Sequence, residues 1–153
     1  MEMAAWMDLS IINKRGFMNL GTVSFSKRIA EEYANTVWNA KEISVIDRLI
    51  HNDILIHSLL GDFRGIQAMK DVVQAWLKVF PDLLVKNELI ICENDLVSIQ
   101  WNAKGTHNGE FKGRKPTGNP VSYSGVTVYR IKDSKIIEYW AYLDMQHLLS
   151  QIG

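Results

Sequence analysis

The stretch EYWAYLDMQHLLSQIG (138–153) holds one acid, Asp144, between an aromatic strand carrying Trp140 and Tyr142 and a short apolar helix. A carboxylate pressed against aromatic and aliphatic walls has its charged form destabilised, which moves its pKa up toward values useful for proton transfer. Such an acid has the makings of a general acid/base. The same position also suits a helix N-cap, because an Asp side chain accepts from the free backbone N–H groups of a following turn. Spacing alone leaves catalyst and cap both open.

Four histidines accompany it: His51, His57, His107 and His147. None falls in an HExxH or paired Cys/His spacing, so no metal site is expected. His107 continues the apolar row of LVSIQWNAKGTH, where a buried histidine satisfied by backbone is the plainer reading. His57 ends a short strand near the expected pocket mouth, and His51 and His147 are expected to face solvent. The one cysteine, Cys92, sits in the apolar run LIICEN and reads as core. A single cysteine forms no internal disulfide, which suits a reducing, cytoplasmic setting.

The elements that must position these groups come in two blocks. A helix is expected through KRIAEEYANTVWNA, capped by Ser24 or Ser26, with Ile29, Tyr33, Val37 and Trp38 on its buried stripe. EISVIDRLI repeats the pattern briefly, DILIHSLL reads as a short strand, and GDFRG as a turn. IQAMKDVVQAWLKVF is the clearest helix, its apolar positions three or four apart up to Pro81. Beyond Pro81 the period becomes alternating: LLVKNELIICEN, LVSIQWNAKGTH, PVSYSGVTVYRI and KIIEYWAYLD read as strands. Helices followed by a meander make an α+β domain. In the last strand simple alternation puts Ile136, Glu138, Trp140, Tyr142 and Asp144 on one face and Ile137, Tyr139, Ala141 and Leu143 on the other. Helices bury one of these faces, and another subunit is the natural cover for the second.

Composition excludes several classes. At 153 residues the chain fits one domain, read as 23–153 after a loosely attached extension at 1–22. Lys plus Arg and Asp plus Glu are both 17, so no basic face for nucleic acid is implied. No run approaches the ~20 apolar residues that span a membrane, and Lys14 and Arg15 follow the mildly apolar start where a signal peptide would put charge first.

The run GTHNGEFKGRKPTGNPVSYSG (105–125) followed by KIIEYWAYLDMQHLLSQIG (135–153) resembles the SnoaL-like polyketide cyclases, or ester cyclases, with His57 and FPDL (80–83) in similar order. The resemblance implies a cone-shaped roll of the nuclear-transport-factor-like superfamily. In it, N-terminal helices pack on a strongly curved, mostly antiparallel sheet around one deep pocket. It further implies a homodimer and cofactor-free, acid/base catalysis of an intramolecular aldol-type cyclisation on a small hydrophobic carbonyl compound. Carried over, the acid/base role falls on Asp144, with His107 as hydrogen-bond donor to the enolate. His57, Trp101, Trp140, Tyr33, Trp38 and Tyr123 are then expected to line the pocket. The chain departs from the family pattern where Asn119 and Pro120 follow PTG in place of a frequent arginine. A pocket used for binding without chemistry is the alternative, because fold does not fix function.

Overall fold

The computed structural model describes residues 25–153. The extension expected at 1–22, and Ser24 as a cap, lie outside the described residues. Helix α1 covers residues 25–33 and passes directly into a π-helical turn, Ala34–Asn39. Ser26 is inside α1 and buried, so it does not cap it. Asn39 then grips the sheet: its Nδ2 donates to the Val85 carbonyl (2.8 Å) and its Oδ1 accepts from the Val85 N–H (2.7 Å). A side-chain amide thus plays the part of a strand neighbour and fixes Trp38, one residue earlier, against the sheet.

The expected short helix at EISVIDRLI is a 3-10 turn, Ile43–Val45, followed by α2, Ile46–Leu49. Strand β1 (Ile50–Ser58) turns at Leu59–Leu60 into β2 (Gly61–Arg64). GDFRG is therefore a strand rather than the turn its glycines suggest, pairing antiparallel with Leu55–Ser58. Its residues are all exposed on the sheet edge, so it carries no apolar alternation to read. Helix α3 (Ile66–Val79) buries Met69 and Val73, worth about 1.5–3 kcal/mol each. Strands β3 (Leu84–Glu93), β4 (Leu96–Thr106), β5 (Pro120–Lys132) and β6 (Lys135–Leu143) form the meander, and α4 (Met145–Gln151) closes the chain.

The order in the sheet is β2-β1-β6-β5-β4-β3. Every pair is antiparallel except β1 with β6, so the sheet is mixed. Register shifts interrupt β3–β4 at Asn87/Leu89 and β5–β6 at Arg130/Ile131. Bulges of this kind bend strands and raise their twist, which curls the sheet around the helices. One core cluster joins α1, α2 and α3 to the sheet through Tyr33, Ile46, Met69, Ile99, Tyr129 and Tyr139. A second, around Phe80, Phe111, Tyr123 and Leu148, seats α4 on the same inner face. No helix among the described residues is long and apolar enough to cross a membrane.

Candidate functional site

Between the helices and the inner face of the sheet lies a cavity of about 760 Å³, counted out into its mouth. Alternate residues of β5 build its floor because period-2 alternation sends them all inward. Tyr123 lies across from Ala103, Gly125 from Trp101 and Leu143, Thr127 from Ile99 and Ala141, and Tyr129 from Val97 and Tyr139. The Trp101 indole lies over Gly125, where an added Cβ would stand 2.4 Å from its Cζ2. That placement lets the Trp101 Nε1–H donate to Thr127 Oγ1 (2.9 Å). From the helix side, Trp76 Nε1–H donates to the Tyr123 hydroxyl (2.9 Å). Exposed Leu59 and Leu60 of the β1–β2 turn, with Leu143 and Met145 at the β6–α4 junction, mark the mouth.

Among the described residues the cavity wall carries no carboxylate, imidazole, lysine or arginine; its polar side chains are hydroxyls, indoles and the amide of Asn87. Burial pushes its phenols up, Tyr139 to about 12 and Tyr123 and Tyr129 well above the ordinary value. They are therefore neutral donors at any working pH. Among the described residues no cluster of His, Cys, Asp or Glu could hold a metal ion.

The expected pocket residues divide. Trp38, Trp101 and Tyr123 stand on the wall. Tyr33 is fully buried one layer behind, edge-on to Tyr129 (5.8 Å) and Tyr139 (6.2 Å), its hydroxyl donating to Met69 Sδ (3.4 Å). His57 and Trp140 are on the opposite, outer face of the sheet, stacked on each other with ring centroids 5.4 Å apart. The inner face of β6 is the one bearing Tyr139, Ala141 and Leu143, which excludes Trp140 from the cavity. Simple alternation also fails at the start of β6: Ile136 and Tyr139 are both buried, because the register shift inserts Ile137 between them.

Asp144 is the N-cap of α4, its Oδ1 accepting from the His147 N–H (2.9 Å). Its side chain is exposed rather than pressed against the aromatic walls expected from its neighbours. Its position in the chain, between the wall residues Leu143 and Met145, nonetheless puts it at the rim of the mouth.

His107 is fully buried but stands off the wall, beyond Phe80 (ring centroids 6.2 Å). Its Nδ1 accepts from the Thr117 N–H (3.2 Å) and lies 2.9 Å from Thr117 Oγ1. A backbone N–H can only donate, so the neutral ring carries its proton on Nε2, which has no partner among the described residues. The main chain of His107 also donates to Asn119 O and accepts from Gly118 N. His107 is thus the clamp of the 117–119 loop. Asn119, at the departure from the family pattern, extends the clamp by donating from Nδ2 to Gln151 O of α4 (3.1 Å). The structure does not bring Asp144 and His107 together. Asp144 bonds to Ser124 of β5 and His107 to Asn119 just before it, five residues apart or about 17 Å of extended chain.

The outer face carries an ion-pair chain that the sequence reading did not foresee, since its members come from four separate segments. Asp62 meets His57 (3.3 Å), His57 Nε2 meets Glu138 (3.0 Å), and Arg130 reaches both Glu138 (3.3 Å) and Asp95 (3.0 Å) while lying over Trp140. The hydrogen bond to Glu138, opposed by desolvation, holds the His57 pKa above its ordinary value. A raised folded pKa favours the fold below the unfolded value of about 6.5 and loses that support as pH climbs through the folded pKa. The stability of His57→Asn is therefore expected to fall less between pH 6 and pH 8 than that of the parent. Parallel melting-temperature profiles for the two would remove His57 from the pH dependence.

Comparison with known proteins places the chain among relatives. The family model for the SnoaL-like polyketide cyclases matches residues 28–152. AclR, a proposed hydroxylase from Streptomyces galilaeus, is 31% identical over 86% of this chain and 82% of its own, with a TM-score of 0.76. IdmH, a proposed polyketide cyclase from Streptomyces antibioticus, is 29% identical over 82% of this chain and 98% of its own, with a TM-score of 0.70. A proposed SnoaL-like polyketide cyclase from Jannaschia sp. CCS1 is 21% identical over 86% and 93%, with a TM-score of 0.81, and shares the fold. No curated protein sequence matches the chain.

Proposed function

Because the chain belongs to the SnoaL-like polyketide cyclase family, we propose that it encloses a small hydrophobic carbonyl compound in this cavity and promotes its enolisation or aldol-type closure without a cofactor. The observation that carries the reading is the junction of wall and acid: Asp144 sits between Leu143 and Met145, both facing the cavity. One carboxylate oxygen caps α4, and the other takes no hydrogen bond among the described residues, leaving it to exchange a proton with a ligand at the mouth. The aromatic wall supplies apolar contact and keeps water from the reacting carbon.

Asn caps a helix as well as Asp does, whereas Ala costs about 1 kcal/mol. Asp144→Asn is therefore expected to keep its melting temperature and lose about a hundredfold in rate. The measurement is deuterium incorporation at the α-carbons of 2-tetralone in deuterium oxide, followed by NMR. Asp144→Ala loses both rate and stability. An undiminished rate in Asp144→Asn would take Asp144 out of the mechanism. The uncharged cavity wall favours the second reading, a binding protein, and parent protein that gives no exchange while binding the ketone would support it.

We also infer a cytoplasmic homodimer joined through the outer face of the sheet. Leu89, Gln100, Val126 and Tyr142 form one cross-strand row there, and Ile91, Ser98, Val128 and Trp140 the next. Leu89, Ile91 and Tyr142 are more than half exposed, an apolar patch that a subunit would cover. Val126→Asp is expected to sediment as a monomer where the parent sediments as a dimer; a monomeric parent would end the idea.

A further inference from the structure

With His107 off the cavity wall, the donor that an enolate needs must come from another side chain. Such a group has to be neutral, held in place and in possession of a proton that the protein does not use. Tyr123 meets all three conditions. Its phenol is 3% exposed and lines the cavity. The rings of Trp76, Phe80 and Trp101 surround it at centroid distances of 6.2, 5.9 and 6.0 Å, which fixes the plane of the phenol. Trp76 Nε1 lies 2.9 Å from the hydroxyl oxygen. An indole nitrogen only donates, so this contact uses the oxygen as acceptor and leaves the phenol proton unspent. No acceptor among the described residues takes that proton. Burial, opposed by the hydrogen bond from Trp76, keeps the phenol protonated. A hydroxyl that accepts one hydrogen bond is polarised into a stronger donor for the next.

We propose that Tyr123, polarised by Trp76, donates a hydrogen bond to the carbonyl oxygen of a neutral ketone in the cavity and shares with Asp144 the work of enolising it. Placement in the sheet supports the pairing. Ser124, next to Tyr123, accepts from the Asp144 N–H (3.1 Å), and Gly125 pairs with Leu143. Phenol and acid therefore lie one residue apart in register, the phenol inside the cavity and the carboxylate at its rim. A ketone between them turns its oxygen to Tyr123 and its α-carbon to Asp144. The Asp144 carboxylate takes the α-proton, the C–H electron pair becomes the enolate double bond, and the carbonyl π pair moves onto oxygen. Tyr123 keeps its proton and shares it with that oxygen, where the new charge is strongest. Return of a proton from the Asp144 carboxyl to carbon restores the ketone. The assignment rests on the cavity reading above and names its donor.

Tyr123→Phe deletes the hydroxyl and keeps the ring. Its affinity for 2-tetralone, read by quenching of tryptophan emission, is expected to fall about tenfold, the worth of one good hydrogen bond. Its affinity for tetralin, the same ring system without the carbonyl, should stay within twofold of the parent, which also reports an intact fold. At saturating 2-tetralone, deuterium incorporation should fall about a hundredfold, because the donor holds the enolate more strongly than the ketone. In the parent protein the resonance of a ¹³C-labelled 2-tetralone carbonyl should lie downfield of its position in cyclohexane. Should the variant fail to fold, that resonance decides alone. An affinity for 2-tetralone or an exchange rate that survives in Tyr123→Phe overturns the donor and leaves the cavity reading standing. So does an equal loss of both compounds in a folded variant, or an unmoved carbonyl resonance in the parent. Failure of the parent to bind the ketone, or to exchange it, overturns the enolisation reading and the donor with it.

Discussion

Gly125→Ala is expected to cost about 3 kcal/mol, the upper end of what overpacking a filled interior costs. The new Cβ would stand 2.4 Å from Trp101 Cζ2, 2.7 Å from its Cη2 and 2.4 Å from the Tyr142 carbonyl oxygen. None of these is the loose end of a flexible side chain. The indole is a rigid ring tied by its N–H to Thr127, and the carbonyl belongs to the strand beside β5. Relief requires either swinging Trp101 into the cavity or parting β5 from β6. Urea denaturation of the variant measures the cost, and a shift in tryptophan emission reports the displaced indole. A double-mutant cycle with Trp101→Leu assigns it: the alanine should cost at least 1 kcal/mol less in that background. An equal cost in both backgrounds would mean that the indole is not what the glycine makes room for.

His107→Ala is expected to cost about 3 kcal/mol, through an emptied buried site and the unpaired Thr117 N–H. The 117–119 loop should become the first site of proteolytic cleavage, since its backbone loses its main tether. The exchange rate of 2-tetralone, corrected for the folded fraction, should stay within a few-fold of the parent. A fully folded variant without activity would instead make His107 a donor to the substrate. The experiment therefore separates a clamp from a catalyst at a residue where the family motif alone suggests the latter.

The strand alternation of β4 and β5 was legible, because long half-buried strands carry period 2 plainly. Period 2 puts Val97, Ile99, Trp101 and Ala103 on one face of β4 and Tyr123 with Tyr129 on one face of β5, and the pairing of the strands turns both inward as the cavity floor. The face of Trp140 was not legible. Both faces of β6 are apolar, and only the pairing of β6 between β1 and β5 decides which one meets the helices. The split between Asp144 and His107 was hidden for a similar reason. Sequence order brings both near strand ends, but their backbone partners, Ser124 and Asn119, stand five residues apart along the chain. The strand GDFRG went unseen because an exposed edge has no burial pattern to betray it. The Trp101–Thr127 hydrogen bond needed the cross-strand partners of β5, which no single stretch of sequence contains.

The grip of Asn39 on Val85 also bears on how the edge of this open sheet is protected. Strand β3 is an edge, and an edge with Leu84, Leu89 and Ile91 exposed along it is a template for stacking further chains. Asn39 occupies both the N–H and the carbonyl of Val85, and the register break at Asn87/Leu89 disturbs the ladder just beyond. At the opposite margin β2 is four residues long and carries Asp62 and Arg64. Each margin is thus interrupted, β3 by Asn39 and the register break and β2 by its shortness and charge, which disfavours end-to-end growth into fibres. An Asn39→Ala variant would bare one of those margins, and the same amide that holds Trp38 in place thereby acts as a guard against polymerisation.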